Sequence, residues 1–297
     1  MGSNEPEFAV PFICGATRSG TTLLRLMLDA HTDVAIPSET HFITKLIKLC
    51  LKQRVSADQL AEAVTSRNRW GDFHLDADEY RERVRALDRP NVADASRAFF
   101  QLYAEKQGKR RWGDKTPGYV KSMPRLQRVL PEARFVHLIR DGRDVALSLL
   151  PMNWGPSTVE QAAEIWRGRI QQARRQAPRL DHYIEVKYED LITDTEPVLR
   201  RVCEFIELEF DPIMLDYHRT ATARLSEKAR DLERPSGDVQ PAEARMASHK
   251  LASEPPRADR VARWKQKMSE ADRVAYEAIA GDTLAELGYE VGTPVAA

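Results

Sequence analysis

The sequence Gly15-Ala16-Thr17-Arg18-Ser19-Gly20-Thr21-Thr22 lies between an apolar run at residues 8–14 and a stretch of helically spaced leucines at residues 21–30. The run is short and contains β-branched and aromatic residues, which is typical of a buried parallel strand. The octapeptide has the G-x-x-x-x-G-x-[ST] frame of a phosphate-binding loop, but Thr21 stands where that loop has its phosphate-binding lysine. Amide groups at the helix start still favour an anion. A plain glycine-rich turn between a strand and a helix explains this octapeptide equally well.

The order of strand, turn and helix recurs twice along the chain. Residues 134–140 predict a strand that runs into Asp141-Gly142 and a helix over 144–150, and residues 182–188 predict a strand before a helix over 196–206. Strands that alternate with helices predict an α/β fold, here a single P-loop-type domain with a central parallel sheet flanked by helices. We expect this domain to cover residues 8–290, with residues 1–7 as a disordered N-terminus or expression scar and residues 291–297 as a tail.

Two long segments depart from this alternation. Residues 40–110 have helical spacing and many charges, which predicts a helical insertion. Residues 220–260 are rich in Arg, Glu, Ser and Pro with little periodicity, which predicts a long loop. Residues 269–287 predict a C-terminal helix.

The composition excludes several classes of protein. The 297 residues are 42% hydrophobic and 30% charged with a mean hydropathy of -0.51, which suits a soluble globular chain. Basic and acidic residues balance at 45 each, so no net charge attracts nucleic acid or acidic membranes. Three cysteines without metal-ligand spacing support neither a disulfide framework nor a zinc site. No run is long enough to span a membrane, and the acidic start lacks secretory features, which predicts a cytoplasmic protein.

Several motifs together carry a family resemblance. They are Thr17–Leu24, Leu28-Asp29-Ala30-His31, Ser38-Glu39-Thr40, Trp112–Pro117, Arg140–Ser148, Val186–Leu191 and Arg263-Trp264. In this order the chain resembles sulfotransferases that use 3′-phosphoadenosine 5′-phosphosulfate (PAPS), in the branch with the tyrosylprotein sulfotransferases and bacterial relatives. The resemblance covers most of residues 8–290. It implies that the glycine loop holds the 5′-phosphosulfate and that residues 220–260 lie on the cofactor side.

Sulfuryl transfer needs a base for the acceptor proton and positive groups at the transferring and leaving oxygens. The resemblance implies Glu39 as the base, Lys115 at the bridging oxygen and Arg18 beside the sulfuryl group. It implies that the cofactor is bound by Arg18, Ser19, Gly20, Thr21, Thr22, Arg140, Ser148 and Tyr188, with Arg140 and Ser148 at the 3′-phosphate. Residues 244–265 do not fix a register, and from them we select Ser248 and Arg263.

Each of these residues also has an ordinary interpretation. Glu39 suits the start of a helix, Lys115 a solvated loop, Arg18 an ion pair in a loop, Arg140 a charged turn and Tyr188 packing on a sheet. His31, His41 and His137 are expected to pack or form hydrogen bonds rather than act as bases.

The predicted function is transfer of a sulfuryl group from PAPS to a hydroxyl of a small molecule, glycolipid or carbohydrate, with release of 3′-phosphoadenosine 5′-phosphate (PAP) and without a metal. The first alternative is a P-loop small-molecule kinase that uses ATP; Thr21 and the arginine at the end of the second strand argue against it. A non-catalytic nucleotide-binding protein is the second alternative, and the presence of both Glu39 and Lys115 argues against it. Residues 40–110 are expected to cover the acceptor pocket, and their aromatic residues either line that pocket or pack. These are Phe42, Trp70, Phe73, Tyr80, Phe99 and Phe100.

Overall fold

The computed structural model describes residues 6–233, 237–247 and 250–292. Its strands are β1 (Val10–Gly15), β2 (Val34–Ala35), β3 (Arg111–Trp112), β4 (Asp114–Lys115), β5 (Ala133–Ile139), β6 (Tyr183–Lys187), β7 (Leu232–Glu233) and β8 (Val239–Gln240). Its helices are α1 (Thr21–Asp29), α2 (Ile43–Cys50), α3 (Ala57–Thr65), α4 (Ala77–Arg85), α5 (Val92–Lys106), α6 (Met123–Val129), α7 (Gly142–Leu149), α8 (Val159–Gln176), α9 (Tyr188–Thr193), α10 (Thr195–Phe205), α11 (His218–Ser226), α12 (Ala242–Ala247), α13 (Trp264–Lys267) and α14 (Glu270–Glu286). Short 3-10 helices cover Trp70–Phe73, Pro117–Lys121, Ala177–Arg179, Pro212–Asp216, Lys250–Ser253 and Ala258–Arg260.

A parallel sheet with the strand order β4-β1-β5-β6 forms the centre of the domain. All six residues of β1 are buried, because successive side chains enter opposite faces of the sheet and both faces are covered. Phe12 packs with helices of the insertion, whereas Ile13 packs with α1, α9 and α10. The predicted α/β fold with a central parallel sheet is confirmed.

The carboxyl ends of the parallel strands meet at one edge of this sheet, where binding groups are expected. The glycine loop follows β1, Lys115 ends β4, Arg140 follows β5 and Tyr188 follows β6. β1 and β5 approach closely here, since a Cβ atom on Gly15 would lie 2.5 Å from the carbonyl oxygen of Leu138. The alternation of short strands and helices therefore brings segments far apart in sequence to one edge.

The predicted helical insertion contains α2, α3, α4 and α5. Its aromatic residues pack on one another: the ring centroid of Phe99 lies 4.8 Å from that of Phe73 and 4.9 Å from that of Phe42. Trp70 is partly buried and the other aromatic residues of this cluster are buried. Of the two alternatives for these side chains, the structure shows packing.

The prediction of one long loop over residues 220–260 is wrong. This segment contains part of α11, the antiparallel pair β7 and β8, and α12. Long-range ion pairs order it: Arg224 Nε lies 2.5 Å from Asp29 Oδ2, and Arg245 Nη2 lies 2.5 Å from Asp72 Oδ2. A pattern of apolar residues does not reveal elements that are held by charge.

Residues 1–5 and 293–297, which make up most of the two predicted tails, lie outside the described residues, as does Ser248. Among the helices of the described ranges, none is both long enough and apolar enough to cross a membrane.

Candidate active site

A cavity of about 770 Å³ opens at the carboxyl edge of the sheet. The predicted site residues that line it are Arg18, Gly20, Thr21, Thr22, Glu39, Arg140, Ser148, Tyr188 and Arg263. Lys115 is buried beside this lining and contacts it through Glu39 and Thr22, and Ser19 is buried within the loop. The structure thus brings the predicted residues together, with the exception of Ser248, which it does not describe.

The glycine loop presents an uncapped helix start to the cavity. No side chain caps α1, and the first amide groups of a helix have no partner within it. The hydroxyl of Ser19 is buried and has no hydrogen-bond partner within residues 6–233, 237–247 and 250–292. Gly20 has a φ of 91°, and a Cβ atom there would lie 2.4 Å from the Tyr188 ring. The loop and its buried hydroxyl therefore fit an anion such as a phosphosulfate.

Two arginines and a serine form the wall beside this loop. Arg18 Nε donates a 2.9 Å hydrogen bond to Ser148 Oγ, which joins the loop to α7. The guanidinium carbon of Arg140 lies 4.4 Å from the centroid of the Tyr188 ring, a stacked cation–π contact. Arg140 Nε is buried without a hydrogen-bond partner among the described residues. Arg140 Nε and the Ser148 hydroxyl can bind a second phosphate, and the Tyr188 ring can pack against a nucleotide.

The motif Arg140–Ser148 also holds the C-terminal segment against the cavity. Asp144 Oδ1 accepts a 2.8 Å hydrogen bond from the backbone amide of Trp264, and Arg140 Nη2 donates to the Arg260 carbonyl at 2.8 Å. Arg143 lies over the Trp264 ring at 3.5 Å. Because of these contacts, Arg260 lines the cavity together with Arg263. From the sequence, Arg260 is one of several basic residues in 244–265 that could reach the cofactor, but the sequence does not select it, since no motif fixes the register of this segment.

Glu39 contacts a lysine and a histidine beside the cavity. Lys115 Nζ lies 2.9 Å from Glu39 Oε1, and His41 Nε2 lies 2.9 Å from Glu39 Oε2. Burial alone would raise the pKa of Glu39, but Lys115, the His41 hydrogen bond and Lys228 together hold this pKa well below its usual value. Glu39 is therefore ionised at neutral pH. Burial lowers the pKa of Lys115, and Glu39 opposes that shift.

A buried carboxyl group supports this pair from behind. Asp114, on the same strand as Lys115, accepts a 2.6 Å hydrogen bond from Thr40 Oγ1 at its Oδ2 atom. Its side chain is fully buried, and burial raises its pKa to about 7, against the hydrogen bonds and the charge of Lys115. Asp114 thus links the strand that presents Lys115 to the segment that presents Glu39.

Lys228 lies beside this site and was missed by the sequence reasoning. It follows α11, is only 4% exposed and lines the cavity. A lysine in a segment rich in charges gives no signal of burial, so sequence alone could not select it.

Each of the three histidines forms hydrogen bonds, as predicted. His31 Nδ1 accepts from the Asp33 amide at 2.9 Å, and His137 Nδ1 lies 2.6 Å from the Tyr183 hydroxyl. His41 Nε2 lies 2.9 Å from Glu39 Oε2.

A protein-family model described as the sulfotransferase family matches residues 11–212. The chain belongs to the sulfotransferase family. This match covers the glycine loop, Glu39, Lys115, Arg140 and Tyr188, so the predicted family is confirmed. It ends before Lys228, Arg260 and Arg263.

Curated relatives of the family cover part of this chain. Protein-tyrosine sulfotransferase 1 of Danio rerio is 28% identical over 219 residues, which are 69% of this chain and 55% of the relative. Protein-tyrosine sulfotransferase 1 of Homo sapiens is 34% identical over 146 residues, which are 47% of this chain and 33% of the relative. The chain spans about half the length of the Danio rerio relative.

Solved structures share the fold over nearly the whole chain. The sulfotransferase domain from the curacin biosynthetic pathway has a TM-score of 0.62 at 18% identity and covers 96% of this chain and 99% of its own. The sulfotransferase domain from the Synechococcus PCC 7002 olefin synthase has a TM-score of 0.61 at 21% identity and covers 98% and 100%. These identities are low, so the likeness establishes the P-loop-type fold alone.

Proposed function

We propose that this protein transfers a sulfuryl group from PAPS to a hydroxyl group of a small molecule, glycolipid or carbohydrate and releases PAP. The contact that carries the proposal is the position of Lys115 Nζ, 2.9 Å from Glu39 Oε1 and 3.4 Å from Thr22 Oγ1. One cation therefore joins a carboxylate that can take a proton to a loop that can hold an anion. A sulfuryl transferase needs these two groups in one cavity.

The residues at the cavity fit PAPS. The loop amides at residues 20–22 would hold the 5′-phosphosulfate, and Arg140 and Ser148 the 3′-phosphate. Bound PAPS would supply the sulfuryl group and a phosphate leaving group. Arg18 places a fixed positive charge at the loop, and Lys115 a second one, where they would stabilise negative charge on the reacting oxygens.

Glu39 would act as the base for the acceptor hydroxyl. Its charge is neutralised while Lys115 remains 2.9 Å away, which makes it a weak base in this arrangement. If Lys115 turned toward an anion bound at the loop, its charge would lower the pKa of Glu39 less, and this pKa would rise while the His41 hydrogen bond remained. The base would then be strongest when the anion loop is filled.

A small acceptor is supported by the size of the cavity and by the packing of the insertion. A volume of about 770 Å³ lies within the range of small-molecule sites. The six aromatic residues of the insertion pack on one another, and none of these six lines the cavity. Family members include protein-tyrosine sulfotransferases, so a tyrosine peptide belongs in the acceptor screen as a competing class.

Calorimetric titration with PAP, and in parallel with ATP plus Mg²⁺, tests the cofactor class. We expect tight binding of PAP without metal and weak binding of ATP. The reverse order would refute the sulfotransferase proposal in favour of the kinase.

Replacement of the base tests the chemistry. Glu39→Gln should reduce turnover of PAPS by about 100-fold or more and leave PAP affinity nearly unchanged, since a general base typically contributes at least that factor. Glu62→Gln is the matched control, because Glu62 lies on α3 and pairs with Arg81, away from the cavity. Full turnover by Glu39→Gln would exclude Glu39 as the base.

A further inference from the structure

The cavity has a cationic end that the cofactor groups do not explain. Besides Arg18, Arg140 and Ser148, its lining includes Lys45, Arg67, Arg69 and Lys228. Three carboxylates of the described residues line the cavity: Glu39, which is held by Lys115 and His41, Glu254, which pairs with Arg257, and the exposed Glu233. Positive groups are therefore in excess near the base.

Lys228 is the deepest of these cations. Within residues 6–233, 237–247 and 250–292 its ammonium group has no hydrogen-bond or ion-pair partner, although the side chain is only 4% exposed. Lys115, Glu39, Arg25 and Arg69 are close enough to affect its charge. Burial lowers its pKa well below the usual value, and the neighbouring Lys115 lowers it further. To hold a lysine amine this deep without a partner costs free energy, whether the amine stays charged or loses its proton, so its position requires another explanation than folding.

Arg69 is nearly unpaired for a clear reason. Its nearest carboxylate is Asp72, at 4.0 Å, and the two oxygens of Asp72 are already occupied. Arg230 Nε lies 3.0 Å from Asp72 Oδ1, and Arg245 Nη2 lies 2.5 Å from Asp72 Oδ2. The guanidinium of Arg69 is therefore available to a group in the cavity.

We propose that Lys228 and Arg69 form an anion-binding subsite, with Arg67 and Lys45 at its outer edge, that binds a carboxylate or phosphate group of the acceptor. This inference rests on the proposed function, because it places the subsite next to the base Glu39. The subsite uses residues from the helical insertion and from the segment beyond residue 212, where the family model ends. It selects acceptors that carry a negative charge beside the reacting hydroxyl.

Inorganic phosphate and acetate serve as probes, titrated by calorimetry into protein saturated with PAPS. PAPS fills the loop and the 3′-phosphate position, so a further anion reports the new subsite. We expect phosphate or acetate to bind the wild-type protein. The probe that binds more tightly identifies the anionic group that the subsite prefers. In Lys228→Met this affinity should fall by about tenfold or more, the usual loss for a hydrogen bond to a charged group.

Two further variants complete the experiment. Lys52→Met is the matched control, since Lys52 is exposed and does not line the cavity, and it should bind the probes as the wild type does. Arg69→Met tests the second cation at a side chain that is 30% exposed, which limits any effect on folding. Arg69→Met should also weaken probe binding while PAPS affinity is retained.

The outcomes separate the two proposals. If PAPS does not bind the wild type, the proposed function fails and the subsite falls with it. PAPS binding without phosphate or acetate binding overturns the subsite alone, as does equal probe affinity in Lys228→Met and the wild type. In an acceptor screen of hydroxy acids and their matched amides, turnover confined to the amides would also overturn it.

Discussion

Asp114 provides a direct test of the electrostatics behind the candidate site. Burial raises its pKa to about 7, whereas an aspartate in the unfolded chain titrates near the ordinary value of 3.8. The folded protein therefore binds a proton more tightly than the unfolded chain does. For such a group, stability is lost as the pH rises from the unfolded pKa through the folded one, and the loss is complete about one pH unit above the folded pKa.

The magnitude follows from these two pKa values. Between pH 5 and pH 8 the carboxyl of Asp114 should reduce the free energy of unfolding by about 2–3 kcal/mol. Asp114→Asn removes the titrating group and keeps an oxygen that can accept the hydrogen bond from Thr40. The variant should therefore gain stability relative to the wild type as the pH rises over this range.

Urea unfolding of both proteins between pH 5 and pH 8 measures this difference. The comparison with the variant cancels other groups, such as His137, whose burial lowers its pKa to about 4. Asp76→Asn is the control, because backbone hydrogen bonds lower the pKa of this exposed cap and its contribution is constant above pH 5. A constant difference between Asp114→Asn and the wild type across this range would refute the reasoning.

Three further substitutions test the loop, the phosphate wall and the core. Gly20→Ala would place a Cβ atom 2.4 Å from the Tyr188 ring at a residue with a φ of 91°, so calorimetry should show PAP affinity reduced by about tenfold or more, and unchanged affinity would contradict this packing. Arg140→Met should weaken PAP by about tenfold to 100-fold and AMP, which has no 3′-phosphate, much less; equal losses would exclude a 3′-phosphate contact. Phe99→Ala should cost about 3–5 kcal/mol in urea unfolding because the ring is fully buried, yet the folded variant should bind PAP normally, since Phe99 does not line the cavity.

The central sheet could be predicted because its information is local. Residues 8–14, 134–140 and 182–188 are short strand-like runs followed by turn or helix signals. They contain all of β6, and all of β1 and β5 except for one end residue each. The fourth strand could not be found this way. Asp114 and Lys115 are both charged, and their burial depends on Thr40 and Glu39, more than seventy residues earlier.

The residues of the candidate site also fall into two groups, those that local sequence identifies and those that it does not. Arg18, Glu39, Lys115, Arg140 and Tyr188 lie in motifs, and the structure places each of them at or beside one cavity. Lys228 and Arg260 lie in segments whose order depends on charged contacts between distant residues. Such contacts leave no periodic pattern, because either member of an ion pair resembles a solvated surface residue when it is read alone.

A substitution of Lys228 tests whether this residue is buried to bind a ligand or to stabilise the fold. If its ammonium group is present for an anionic ligand, the free protein should be more stable without it, because the buried charge has no partner among the described residues. Lys228→Met should therefore raise the free energy of unfolding by about 0.5–2 kcal/mol at pH 7, the usual gain when a strained functional group is replaced.

This gain should depend on pH, because the pKa of Lys228 is lower in the folded protein than in the unfolded chain. The stability of the wild type therefore increases as the pH rises toward the usual lysine pKa, and the advantage of the variant should shrink as the pH rises to 9. Urea unfolding at both pH values measures this. A less stable Lys228→Met would show that Lys228 supports the fold, and anion binding would no longer explain why it is buried.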